Sequence, residues 1–120
     1  MSKKTLVLGA SLRPYRYSNM AINRLVAQNH EVVAIGLREG IVADVPIVKG
    51  KPILENIDTI TLYMNPRRQV ELYDYLLELS PKRIIFNPGT ENMELMELAQ
   101  AKGIKTEIAC TLVMLSVGNY

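Results

Sequence analysis

The residues of this sequence whose types and spacing suit chemistry lie between Leu6 and Asn19, and the chemistry they suit is the binding of an anion. Gly9 and Ala10 are small enough to let a phosphate oxygen approach the backbone, and the Ser11 hydroxyl can donate to it. Arg13 and Arg16 carry guanidinium groups, which grip phosphate through paired hydrogen bonds. Ser18 is placed to cap a helix, and Ala21 stands where a capping box would have Glu or Gln. No capping-box carboxylate then occupies the free N–H groups of that helix, which leaves room there for an external anion. A Gly-Ala-Ser turn also arises for packing alone, and the two arginines also read as solvated surface charges, so the local residues leave both readings open. The spacing is not the GxGxxG fingerprint, because Ser11 and Pro14 occupy the positions of its later glycines.

The elements that position this corner follow from the pattern of apolar residues. Lys4 to Gly9 is a nearly continuous apolar run, the mark of a strand covered on both faces. The helix expected from about Asn19 to Gln28 places Ile22, Leu25 and Val26 on one side. Glu31 to Gly36 reads as a second, parallel strand, which completes a right-handed βαβ unit. Leu37 to Asn56 holds Gly40, Pro46, Gly50 and Pro52, with a short strand expected within Asp44 to Val48 and no room for a crossover helix of ordinary length. Arg38 follows the second strand, where a dinucleotide fold selects the ribose and an Arg tolerates a ribose phosphate.

Asp58 to Met64 alternates as a strand, and Asn65-Pro66 then opens a helix to Leu79 that should bury Val70, Tyr73, Leu76 and Leu77. Arg67 and Arg68 fall in its first turn, where a cation opposes the dipole unless an anion is near. Lys82 to Asn87 is the next strand, and Asn87-Pro88-Gly89 leads to a helix capped by Thr90, with Leu95, Leu98 and Ala99 inward. Ile104 to Ala109 gives the last strand and Thr111 to Val117 a final helix. The expected fold is α/β, a three-layer Rossmann-like arrangement with a mostly parallel sheet of five to six strands in one domain, residues 1 to 120. Strand order 3-2-1-4-5 with one further edge strand is expected. Asn87, Pro88 and Gly89 then share with Gly9 and Met64 the rim where open α/β sheets bind ligands, and Asn65 and Pro88, at the ends of later strands, are candidate contacts there.

The run Val7 to Ser11, the loop with Pro14, and Arg16-Tyr17-Ser18 before a helix resemble the opening of the small stand-alone CoA-binding proteins. These are bacterial and archaeal single domains similar to the CoA-binding domain of the succinyl-CoA ligase alpha subunit and of acyl-CoA synthetases. The resemblance extends over nearly the whole chain, through Asp58 to Pro66 and through Cys110 at the start of the last helix. It implies coenzyme A as the cofactor, with Gly9, Ser11, Arg16 and Ser18 on the diphosphate. Two places depart from it. The second strand ends in Ile35-Gly36-Leu37 where the family commonly has Asn-Pro, and no Glu-His pair follows Cys110.

Composition bounds the rest. The chain has 120 residues, of which 48% are apolar and 22% charged, enough for a single core without metal or disulfide staples. A net charge of +2 gives no argument for nucleic acid. Residues 1 to 51 hold eight basic and three acidic side chains, a net +5, whereas residues 52 to 120 hold six and nine, a net −3, so the basic half contains the proposed anion corner. No apolar run suits a membrane span or a leader, and one cysteine forms no internal disulfide, so a cytoplasmic protein is expected. The lone His30 falls at the far end of the sheet, Cys110 reads as a small hydrophobe, and the acids lie on outer helix faces. A binder of CoA or acyl-CoA without catalysis of its own is therefore expected. A small NADP-binding reductase, and a protein-interaction module that has lost its ligand, are the alternatives; a homo-oligomer or a protein partner is left open.

Overall fold

A computed structural model describes residues 2–120. The described residues form a seven-stranded sheet in the order β3-β4-β2-β1-β5-β6-β7. The strands are β1 (Thr5–Ala10), β2 (Val32–Gly36), β3 (Gly40–Val42), β4 (Val45–Val48), β5 (Thr59–Leu62), β6 (Arg83–Phe86) and β7 (Lys105–Ile108). Every neighbouring pair is parallel except the β3–β4 hairpin. Without β3 the order is the expected one. The additional strand, which takes the sheet beyond five or six, closes through Ala43 and Asp44, both at positive φ (49° and 64°). Two-residue hairpin loops favour that conformation, and Asn-Gly or Asp-Gly usually signals it; Ala-Asp carries no such signal.

The helices are α1 (Tyr17–Ala27), α2 (Pro66–Gln69), α3 (Tyr73–Glu78), α4 (Met93–Ala101) and α5 (Thr111–Val117). Leu6, Leu8, Ile60, Leu62, Ile84 and Phe86 point to one face and pack with Leu76 and Leu77 of α3 and Leu95 of α4. Val7, Ala34 and Ile47 point to the other and pack with Ile22 and Leu25 of α1 and Leu115 of α5. This alternation explains why the central strands are apolar throughout: both faces of the sheet are covered. Between β4 and β5 the chain crosses without a helix, held by the Lys4 ammonium on the Glu55 carbonyl (2.8 Å) and the Tyr75 hydroxyl on that of Pro52 (2.6 Å).

Four local expectations need correction. Ser18 does not cap α1; the N-cap is Arg16, whose side chain makes no capping bond, and Ser18 is a buried residue of the first turn. Thr90 does not cap α4, because its hydroxyl donates to the Asn87 carbonyl at 2.8 Å, and Asn92 takes the N-cap by accepting from Leu95 N–H. Leu98 is exposed rather than inward. The single helix from Pro66 to Leu79 is broken by a 3₁₀ turn at Val70–Leu72, which rotates Val70 out to solvent.

Candidate functional site

The C-terminal ends of β1, β2, β5 and β6 surround an open cavity of about 530 Å³. Gly9 forms its floor at φ 97°, and a side chain there would put Cβ 2.9 Å from the Tyr63 carbonyl carbon and oxygen. Only glycine suits both that conformation and that contact, so the ends of β1 and β5 come close beneath the cavity. Gly36 serves β2 in the same way: a Cβ there would stand 2.3 Å from the Ala10 carbonyl oxygen.

From Ala10 the chain enters the arginine loop. The Ser11 hydroxyl oxygen accepts from Arg13 N–H at 3.1 Å, which leaves its own hydrogen free to donate into the cavity. Arg13-Pro14-Tyr15-Arg16 is a turn closed by Arg16 N–H on the Arg13 carbonyl (3.1 Å), with proline at the second position where its fixed φ suits the turn. The turn brings two guanidinium-bearing residues side by side. Tyr15 sits between them, its hydroxyl accepting from Arg13 Nη1 at 3.4 Å and its ring centre 6.0 Å from the Arg16 guanidinium carbon. Buried Asn19 ties the loop to α1 by donating from Nδ2 to the Ser11 carbonyl at 2.9 Å. No acidic residue occupies the first turn of α1 and no side chain caps it, so its leading N–H groups are open toward the cavity.

The opposite wall is held by a buried amide network. Asn87 Nδ2 donates to the Thr61 hydroxyl (2.7 Å) and the Leu62 carbonyl (2.8 Å), and its Oδ1 accepts from Thr111 N–H (2.8 Å). Gln69, fully buried, donates to the carbonyls of Met64 and Thr90 at 2.9 Å each, and Asn92 donates to Gln69 Oε1. These bonds fix Met64, Asn65 and Pro88 to Thr90 as a rim. Beside them the Tyr63 hydroxyl is buried without a hydrogen bond of good geometry, and burial pushes its pKa up to about 12 against the smaller opposing effect of the nearby Thr61 and Thr111 hydroxyls.

All nine residues named as cofactor-binding from the sequence line this cavity: Gly9, Ala10, Ser11, Arg13, Arg16, Ser18, Arg38, Asn65 and Pro88. Sequence reasoning placed Met64 and Gly89 on this rim, missed Leu12, Tyr17, Leu37, Tyr63 and Thr90 as lining residues, and left Arg68 unassigned. Their proximity arises from strand order, which no local motif encodes. Four arginines, Arg13, Arg16, Arg38 and Arg68, line the cavity and no carboxylate does. None of the four takes part in an ion pair among the described residues. The pairs join Lys4 to Glu31, Lys82 to Asp58, and Arg83 and Lys105 to Glu107.

Groups expected to be inert lie elsewhere. His30 Nδ1 accepts from Lys3 N–H at 2.9 Å in the turn before β2, and burial, then the nearby Lys3, holds the imidazole below its ordinary value. Cys110, half-buried rather than buried, is the N-cap of α5 and does not line the cavity. Among the described residues no three His, Cys, Asp or Glu side chains cluster to hold a metal, and no helix is long and apolar enough to cross a membrane.

A family model described as a CoA binding domain matches residues 3–116. The chain belongs to the CoA binding domain family. A crystal structure of an uncharacterized protein superposes on this CoA binding domain with TM-score 0.97 at 48% identity, over 100% of this chain and 99% of the other. A Thermus thermophilus protein superposes with TM-score 0.86 at 19% identity, over 99% and 91% of the two chains. A hypothetical protein from Pyrococcus horikoshii OT3 gives 0.81 at 20%, over 94% and 82%. The last two are similar in fold alone. Among curated proteins none matches the chain.

Proposed function

We propose that this domain binds coenzyme A or an acyl-CoA at the β1 corner and contributes no catalysis of its own. The observation that carries the reading is the set of four arginines around one cavity with no carboxylate among them. Unpaired like charges gathered on one rim repel one another, and a polyanion relieves that repulsion. CoA brings two anionic centres, its diphosphate and its 3′-phosphate. In this reading the diphosphate lies over Gly9 and Ala10, with the Ser11 hydroxyl, Arg13, Arg16, Ser18 and the first turn of α1 around it. Arg38 at the end of β2 takes the 3′-phosphate. The apolar members of the lining, Leu12, Tyr17, Leu37 and Met64, suit the adenine ring and the pantetheine arm. The cavity volume is in the range usual for cofactor sites.

NADP is the second reading, favoured by one observation: Arg38 lines the cavity and would serve a 2′-phosphate equally well. Thermal unfolding with CoA, acetyl-CoA or NADPH distinguishes the readings. A ligand at one hundred times its Kd stabilises by about 2.7 kcal/mol, a readily measured rise in Tm. We expect the rise with CoA and with acetyl-CoA. A rise with NADPH alone, together with oxidation of NADPH followed by absorbance, would replace the binder by a reductase. No rise with any of the three would remove the cofactor reading altogether.

A further inference from the structure

Three of the four cavity arginines stand on one side, on the β1–α1 loop and at the end of β2, whereas Arg68 stands on the other, in the turn that follows β5. We propose that Arg68 is the second jaw of a diphosphate clamp, closing on the ligand from the β5 side while Arg13 and Arg16 hold it from the loop. The proposal rests on the CoA reading above and deepens it.

Arg68 is set in place by its neighbours. Asn65 caps the turn by accepting from Arg68 N–H at 3.1 Å, and Gln69, next in sequence and fully buried, is bonded to Met64 and Thr90. The backbone that carries Arg68 is thus anchored on both sides while its side chain stays exposed and lines the cavity. The adjacent Arg67 is exposed and does not line it, which supplies an internal control. Strand order decides which phosphate Arg68 serves. β5 is the immediate neighbour of β1, about 5 Å away, while the end of β2 with Arg38 lies two strand spacings, about 10 Å, from β5. A phosphate above Gly9 is therefore one strand spacing nearer to Arg68 than a phosphate at the end of β2 beside Arg38.

Titration calorimetry with CoA and with dephospho-CoA, on the wild-type chain and on Arg68→Ala, Arg68→Lys and Arg67→Ala, tests this. Losing a charge-assisted bond to phosphate should weaken Arg68→Ala about tenfold or more, by the same factor for both ligands. Arg68→Lys, which keeps the charge but not the fork, should recover part of the loss. Arg67→Ala should stay within about twofold, as expected of a solvated charge. Wild-type affinity in Arg68→Ala overturns the clamp, and so does a loss seen with CoA but absent with dephospho-CoA, which would place Arg68 on the 3′-phosphate. Wild-type chain that binds neither ligand refutes the CoA reading itself, a result distinct from either of these.

Discussion

Replacing Asn87 by Ala tests how the rim is held. Asn87 is 2% exposed, and its amide makes three bonds of 2.7 to 2.8 Å that tie two segments together: the Thr61 hydroxyl and the Leu62 carbonyl of β5, and the first N–H of α5. Truncation leaves Thr111 N–H with no partner and takes a bond from the Leu62 carbonyl. Each buried group left unpaired costs about 1–3 kcal/mol. The Thr61 hydroxyl, already 2.8 Å from that of Thr111, can turn to recover little of this. A loss of about 3 kcal/mol follows, equivalent to a fall in Tm of roughly 12 °C for a domain of this size. Urea unfolding followed by circular dichroism reads it as a lower midpoint with unchanged slope. Asn87→Asp keeps the shape but replaces the donating NH₂ with an oxygen facing the Leu62 carbonyl, so the folded state raises the carboxyl pKa. A raised folded pKa contributes stability that is present below the unfolded value, about 3.9, and is lost as pH rises. The Asp variant should therefore fall furthest behind wild type near neutral pH and close the gap in acid. A loss below about 1 kcal/mol in Asn87→Ala, or an Asp variant indifferent to pH, would refute the view that this amide anchors the rim.

Gly9→Ala should cost at least about 2 kcal/mol, since a left-handed φ alone costs about 1–2 and the new Cβ meets the Tyr63 backbone at 2.9 Å; a midpoint equal to wild type would contradict this. Tyr63→Phe removes a buried hydroxyl that lies near those of Thr61 and Thr111 without a bond of good geometry to either, so unfolding should show stability within about 1 kcal/mol of wild type, and a larger loss would show that one of those hydroxyls pairs with it. His30 has a lowered folded pKa, caused first by burial and then by Lys3, so its contribution is full above the unfolded value of 6.5 and is lost as pH falls toward the folded one. The urea midpoint should drop between pH 7.5 and 5.5 by less in His30→Gln than in wild type, and equal drops would remove His30 as the cause.

The β1 corner was legible because its signals are local: an apolar run, two small residues, a loop with two arginines, and a helix without an acidic first turn. Asn65 and Pro88 were legible for a different reason, since each follows a strand and parallel strands share one rim. Capping was harder. Thr90 and Asn92 are both good caps two residues apart, and which one serves depends on a tertiary bond, Thr90 to Asn87. Arg16 caps α1 by backbone conformation only, and no residue preference announces that. Val70 has the right spacing for a buried helical residue, but the 3₁₀ turn at Val70–Leu72 changes its phase. The β3–β4 hairpin escaped because Ala43-Asp44 lacks the usual turn residues. Arg68 was visible as a charge in an awkward place, yet its position opposite Arg13 and Arg16 depends on β5 lying beside β1, which only the assembled sheet supplies.

The measurement that bears most directly on the central claim is calorimetric titration of the chain with CoA and dephospho-CoA at two salt concentrations. Phosphate held by unpaired arginines predicts clear binding of CoA, weaker binding once the 3′-phosphate is removed, and affinity for both that falls as salt rises. Absence of heat with both ligands, or equal affinities that ignore salt, would contradict a cavity built to hold the phosphates of coenzyme A.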